Sequence, residues 1–283
     1  MSDGLHEILI GCSGWSYPDW AGPFYPEGMA SGDFLGFYAD RFNIVEVDSS
    51  FYRAPSPAMA RGWRDKTPDH FRMALKVPRA ITHEKMLRDC GAEVDAFIQS
   101  VAPLGKKAMV ALLQLGYFNK GAFASLEAFL RVLDAFLELW PQRTLPLAVE
   151  IRNPRWVVPE LTDVLRAHSA SYTLTDQTWM PKPAEVMKKI DPLTGPFCLI
   201  RLLGDREGME KITTTWDKTV VDRTEDLESV AGLIENLASS VPVLVFVNNH
   251  YGGHSPETAR QLRGFLKLPE PSVPERPRTT LFD

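Results

Sequence analysis

The 283-residue chain carries 31 Lys and Arg against 36 Asp and Glu, a formal charge of -5, so no global positive field draws it to nucleic acid or an anionic membrane. No run approaches the roughly 18 apolar residues of a membrane span, and the start MSDGLHEILIGCSGW has no basic stretch leading into a long apolar one, so a cytoplasmic protein is expected. Three widely spaced cysteines, Cys12, Cys90 and Cys198, form no CxxC pair, which argues against a disulfide framework or a zinc knuckle.

Eight short apolar runs follow in order: Ile8 to Cys12, Ile44 to Val47, Phe71 to Val77, Met109 to Leu115, Leu147 to Ile151, Tyr172 to Thr175, Phe197 to Leu203 and Val243 to Val247. They are rich in Val, Ile and Leu and apolar on both faces, as parallel strands covered on two sides must be. Helical patterns lie between them. Phe123, Leu126, Leu130, Leu133, Leu137 and Trp140 step by three and four residues into one apolar stripe. Thr224 is a predicted N-cap for a helix carrying Leu227, Val230, Ile234 and Leu237, and Ser255-Pro256-Glu257 predicts another helix start. No Gly-rich GxGxxG turn follows the first run, which disfavours a doubly wound dinucleotide fold. The predicted fold is an α/β, (β/α)8 TIM-type barrel in a single domain, 1–268, followed by a Pro-rich tail, 269–283, read as irregular.

Barrel sites sit at the carboxyl ends of the strands, so the polar residues that close each apolar run are the informative ones. Glu46 and Asp48 close the second run, Lys76 the third, Gln114 the fourth, Glu150 and Arg152 the fifth and Asp176 the sixth. Arg201 interrupts the seventh, and Asn248, Asn249 and His250 close the eighth. Alternation puts Glu46 with Asp48, and Glu150 with Arg152, on common faces. Charges in such runs must pair or meet a ligand. Two readings follow: a functional site, or an ion-pair network in which Glu150 and Arg201 tie strands together. Trp15, Tyr52 and Trp156, in loops after the first, second and fifth runs, would supply aromatic walls suited to a sugar or a base. Gly252 and Gly253, before the helix start at Ser255, predict an anion site with Arg201 or Arg206 as partner. The six histidines form no HExxH or HxH pair, and a carboxylate magnesium or manganese site from Glu46, Glu150 and Asp176 stays open. No Ser-His-Asp signature is present.

The segments IGCSGWSYPDWAGPFYP, VEVDSSFYRAPSP, FRMALKVPRAITH, AVEIRNPRW, IRLLG and FVNNHYGG resemble the domain of unknown function 72 family across about Ile8 to Leu266. The resemblance implies the barrel and a polar site containing Glu46, Tyr52, Lys76, His83, Gln114, Glu150, Arg152, Asp176, Arg201 and Asn248. It supplies no reaction. The chain departs from many relatives in having Gly116-Tyr117 where they carry two prolines, and His250 where they carry Asp.

The leading expectation is an enzyme on a small polar substrate, phosphorylated or sugar-like, with Glu150 as general base and Lys76 as the cation that stabilises developing charge. Alternatives are a metal-dependent phosphodiesterase or endonuclease-like barrel on nucleic acid, prompted by fold analogy alone, and a non-catalytic small-ligand sensor. The partner expected is a small polar or anionic ligand, with nucleic acid not favoured and no membrane. Cofactor and oligomeric state are left open by the sequence.

Overall fold

The structure is a computed structural model that describes residues 5–269, so the expected Pro-rich tail lies, from 270 onward, outside the described residues. Eight strands form: β1 (Ile8–Cys12), β2 (Ile44–Val47), β3 (Arg72–Lys76), β4 (Ala108–Gln114), β5 (Leu147–Glu150), β6 (Ser171–Gln177), β7 (Cys198–Gly204) and β8 (Val243–Val247). All neighbours are parallel, in the order β1-β8-β7-β6-β5-β4-β3-β2.

The ring closes between β1 and β2, where Ser13 bridges Glu46 and the Gly14 N–H donates to the Glu46 carbonyl at 2.9 Å. Lower down, the Tyr38 hydroxyl accepts from the Cys12 N–H at 2.7 Å and donates to the Ile44 carbonyl at 3.1 Å. Gly11 makes this approach possible, because a Cβ there would stand 2.0 Å from the Ile44 carbonyl oxygen. These links complete a nearly closed (β/α)8 barrel.

Strand alternation sorts each residue inward or outward. Ile44, Val110, Leu112, Ala148, Leu244 and Phe246 pack with one another inside the barrel, while Ile10, Val45, Met73 and Val149 pack outward against the helices. The helix Leu126–Leu139 shows how the outer layer forms. The Ser125 side chain accepts from the Ala128 N–H, and Phe129, Leu133, Phe136 and Leu137 lie buried on one face. Burying each such side chain stabilises the fold by about 1.5–3 kcal/mol.

Two residues further along each strand, the inward positions change from apolar to charged: Ile44 to Glu46, Ala148 to Glu150, Ala74 to Lys76. Leu112 likewise precedes Gln114, and Phe246 precedes Asn248. The core is therefore a plug of apolar side chains with a polar layer at the carboxyl end.

β6 follows the same rule with a consequence for the site. Ser171 pairs with the inward Ala148, so Thr173, Thr175 and Gln177 point inward and Asp176 does not. Tyr172 and Leu174, which share Asp176's parity, pack into the outer layer.

Candidate functional site

The polar layer opens into a cavity of about 630 Å³. At its base Arg201 reaches across the barrel, with Nε and Nη2 donating to the two oxygens of Glu46 at 2.7 and 2.5 Å and Nη1 donating to Glu150 at 2.7 Å. Both carboxylates are fully buried and Arg201 is 2% exposed. Arg152, the next inward residue after Glu150, pairs with the other Glu150 oxygen and donates to Gln177. Strand period dictates this layout, because Glu46 and Glu150 sit one inward step above the plug and Asp48 and Arg152 one step higher.

Above this base, Lys76 Nζ stands 3.0 Å from Asp48 Oδ1 and 4.8 Å from the centre of the Phe51 ring. The three acids Glu46, Asp48 and Glu150 balance the three bases Lys76, Arg152 and Arg201. Burial pushes the Glu46 carboxyl up to about 7, Arg201 opposing the rise and the Asp48 charge adding to it. Burial also opposes ionisation of Asp48, but Lys76 and Arg201 outweigh it and hold that carboxyl below its usual range. Glu150 is held low in the same way by Arg152 and Arg201. Arg201, despite its own burial, is held well above the usual guanidinium range by Glu150 and Glu46.

His83 lies in a short π-helical turn, Ala80–Glu84, after β3. Its Nδ1 is 2.8 Å from Thr82 Oγ1, which is itself 3.3 Å from the Pro78 carbonyl. Burial first, then Arg79, Lys76 and Arg152, lowers the His83 pKa and keeps the ring neutral near pH 7. On the opposite side, His250 Nδ1 meets Asn248 Oδ1 at 2.6 Å, Nε2 meets Glu210 at 3.2 Å, and the ring packs edge-on against Trp216.

Of the expected site residues, Tyr52, Lys76, His83, Gln114, Arg152, Arg201, Asn248 and His250 line the cavity, and Glu46 and Glu150 lie beneath it. The remainder do not reach it. Asp176 faces the helices and accepts from the Tyr251 hydroxyl at 3.2 Å, since its strand parity is the outward one. Trp156 is buried and stacked on Phe129 at 4.2 Å, as a core residue. Trp15 packs edge-on against Trp63.

The glycine-helix anion site also gives way to internal bonding. The side-chain oxygen of Asn249 accepts from the Ser255 N–H and hydroxyl, so the first N–H of that helix is already taken. The Val220 N–H donates to the Gly252 carbonyl, and a Cβ on Gly253 would stand 2.6 Å from the Lys218 carbonyl. The segment 218–221 thus covers both glycines, and Ser255 is fully buried. The magnesium or manganese trio is likewise divided: Glu46 and Glu150 belong to Arg201, and Asp176 faces the other way. Among the described residues no group of three or more His, Cys, Asp or Glu is placed to hold a metal ion.

Tyr17, Asp48, Phe51, Arg79, Gln177, Trp179 and Arg206 also line the cavity without having been chosen as site residues, although the sequence marks Asp48 as a strand-end charge and Arg206 as a partner for the glycine anion site. Asp48 was within reach of the alternation rule, being two residues after Glu46. Gln177 was not, because β6 is buried on both faces and carries no polar-apolar alternation.

The profile of the family described as "Protein of unknown function DUF72" matches residues 9–281. The chain belongs to the DUF72 family. It is 34% identical over 149 residues to the UPF0759 protein YecE of Escherichia coli (strain K12), covering 53% of this chain and 50% of that one. It is 31% identical over 162 residues to YunF of Bacillus subtilis (strain 168), covering 54% and 53%. The match thus spans about half the length of these curated relatives. A DUF72 protein from Thermotoga maritima superimposes with a TM-score of 0.74 at 25% identity, over 93% of this chain and 100% of that one. An AP endonuclease, family 2, from Brucella melitensis shares the fold, with a TM-score of 0.51 at 13% identity, over 94% of this chain and 100% of that one. No helix among the described residues is long and apolar enough to cross a membrane.

Proposed function

We propose that this DUF72 protein is an enzyme whose strand-end cavity holds a small anionic, hydroxyl-bearing substrate of the sugar-phosphate or hydroxy-acid kind. One observation carries the reading: Lys76, Arg79, Arg152, Arg201 and Arg206 line the cavity against a single lining carboxylate, Asp48. The other paired acids lie off the lining: Glu46 and Glu150 hold Arg201 and Arg152 from beneath, and Glu84 and Glu210 pair with Arg79 and Arg206, which leaves the cavity surface itself dominated by cationic groups. An anion entering here replaces water around Lys76 and Arg152 with charge-assisted hydrogen bonds in a partly desolvated setting.

Glu150 does not suit the role of general base, because its oxygens face Arg152 and Arg201 and it has no surface. His83 takes that role in our reading. With the Thr82 hydroxyl donating to the Pro78 carbonyl, Thr82 accepts from Nδ1–H and leaves Nε2 unprotonated toward the cavity. Lys76, anchored by Asp48, keeps free N–H donors for an oxyanion developing on the substrate. The nucleic-acid reading loses its metal-binding trio and rests on fold likeness alone.

Calorimetric titration with inorganic phosphate, followed by incubation with a panel of sugar phosphates and hydroxy acids read by proton NMR, tests the proposal. Saturable phosphate binding, weakened about tenfold by Lys76→Gln, supports the site, since one charge-assisted contact is worth roughly 1.5–3 kcal/mol. Absence of saturable binding overturns it. Binding of panel members without conversion would favour the sensor reading over the enzyme.

A further inference from the structure

The cavity continues sideways into a second chamber of about 590 Å³, and His83, Gln114, Arg152 and Trp179 line both. The new walls come from Leu115, Gly116, Tyr117 and Pro154, which bring no charge. Seven large apolar side chains stay exposed among the described residues, and the aromatic ones, Tyr52, Tyr117 and Trp179, all border this double opening. Trp179 is 51% exposed and Tyr117 65%. Leaving two rings open to water beside a cationic cavity forgoes burial that a ligand ring would restore. The passage itself depends on Gly116, where a Cβ would come within 3.2 Å of the His83 ring, so a side chain there would crowd the junction.

We infer that the side chamber is a subsite for a flat aromatic ring, so that the ligand is a two-part molecule, an anionic group on Lys76 and Arg152 joined to a planar ring between Tyr117 and Trp179. This rests on the anion reading above and names the ligand class for that same site. Arg152 lines both spaces and so stands where the anionic group and the ring would join. Aromatic walls accept either ring face and set no hydrogen-bond pattern, so the chamber selects for planarity and leaves the anion to fix orientation.

The test compares calorimetric titrations of inorganic phosphate and phenyl phosphate into the wild-type protein and into the double variant Tyr117→Ala, Trp179→Ala, with thermal melts to confirm folding. The expected result is that phenyl phosphate binds wild type about tenfold more tightly than inorganic phosphate, and that this advantage shrinks to about twofold in the variant. Equal affinities in the wild type, or an advantage that survives the double substitution, overturn the ring subsite and leave the anion cavity standing. Failure of both probes to bind overturns the anion reading and this inference with it. If the double variant unfolds, the single Tyr117→Phe and Trp179→Phe variants, which keep a ring, must retain the advantage, and its loss there counts against the inference.

Discussion

At the base of the cavity all three guanidinium nitrogens of Arg201 meet carboxylate oxygens of Glu46 or Glu150, and all three residues are shut away from water. One step higher, Lys76 has one oxygen of Asp48 and the face of Phe51, with the cavity beyond. The residue types are the same and the distances similar; the difference is saturation. A charge whose every nitrogen is engaged by a buried carboxylate ties strands together, and a charge that faces the cavity with donors left over can hold something else. Breaking the lower set should therefore cost stability, and breaking the upper set should cost binding.

The largest effect is expected for Arg201→Met, which leaves Glu46 and Glu150 buried without their shared cation. The loss should be about 5 kcal/mol, or on the order of ten degrees in melting temperature. Differential scanning calorimetry reads it. A melting point within two degrees of wild type would show that the base is not a structural network.

Lys76→Gln sharpens the contrast from the other side. Its Asp48 partner is about one-third exposed, so its uncompensated charge is relieved by water and the melting point should move by only a few degrees, while phosphate affinity falls about tenfold. The same titrations and melts decide between the two sets, and a large melting loss with unchanged phosphate affinity would place Lys76 with the structural charges.

The proton-transfer role assigned to His83 gives a signed pH dependence. A general base must be neutral, and burial together with Arg79 and Lys76 depresses its pKa below 6.5, so turnover should stay flat from pH 8 down to 7 and fall only below 6.5. Replacing Arg79 by Gln removes one repelling charge and should move the acidic limb upward. A limb above 6.5 in the wild type would reject His83 as the base.

Asp176→Asn should have the smallest effect, since this carboxyl faces the helices and its bond to Tyr251 survives as an amide contact. Phosphate binding should be unchanged and stability should shift by about 1 kcal/mol or less. Loss of phosphate binding would mean that the sixth strand presents the other face.

The barrel was legible because parallel strands covered on both faces read as continuous apolar runs, and every run found in the sequence became a strand, displaced by a residue or two at most ends. The polar ring was legible for a related reason: Glu46, Lys76, Glu150 and Arg201 are conspicuous in such runs. Their division of labour was not, because whether a buried charge is saturated depends on partners up to 155 residues away, as Arg201 and Glu46 are. Asp176 misled because β6 is buried on both faces, so no alternation marks its parity. Gly252 and Gly253 misled because a glycine pair before a helix looks the same in sequence whether the facing partner is an anion or the carbonyls of 218–221.

The division between saturated base and open wall is tested most directly by the phosphate affinity of Glu150→Gln, measured by calorimetry beside its melting temperature. Neutralising Glu150 strips compensation from Arg201 and frees Arg152, so the variant should melt several degrees lower, a loss of about 3 kcal/mol, and bind phosphate at least as tightly as wild type. A variant that melts like the wild type and no longer binds phosphate would contradict the account and return Glu150 to the site as a functional carboxylate.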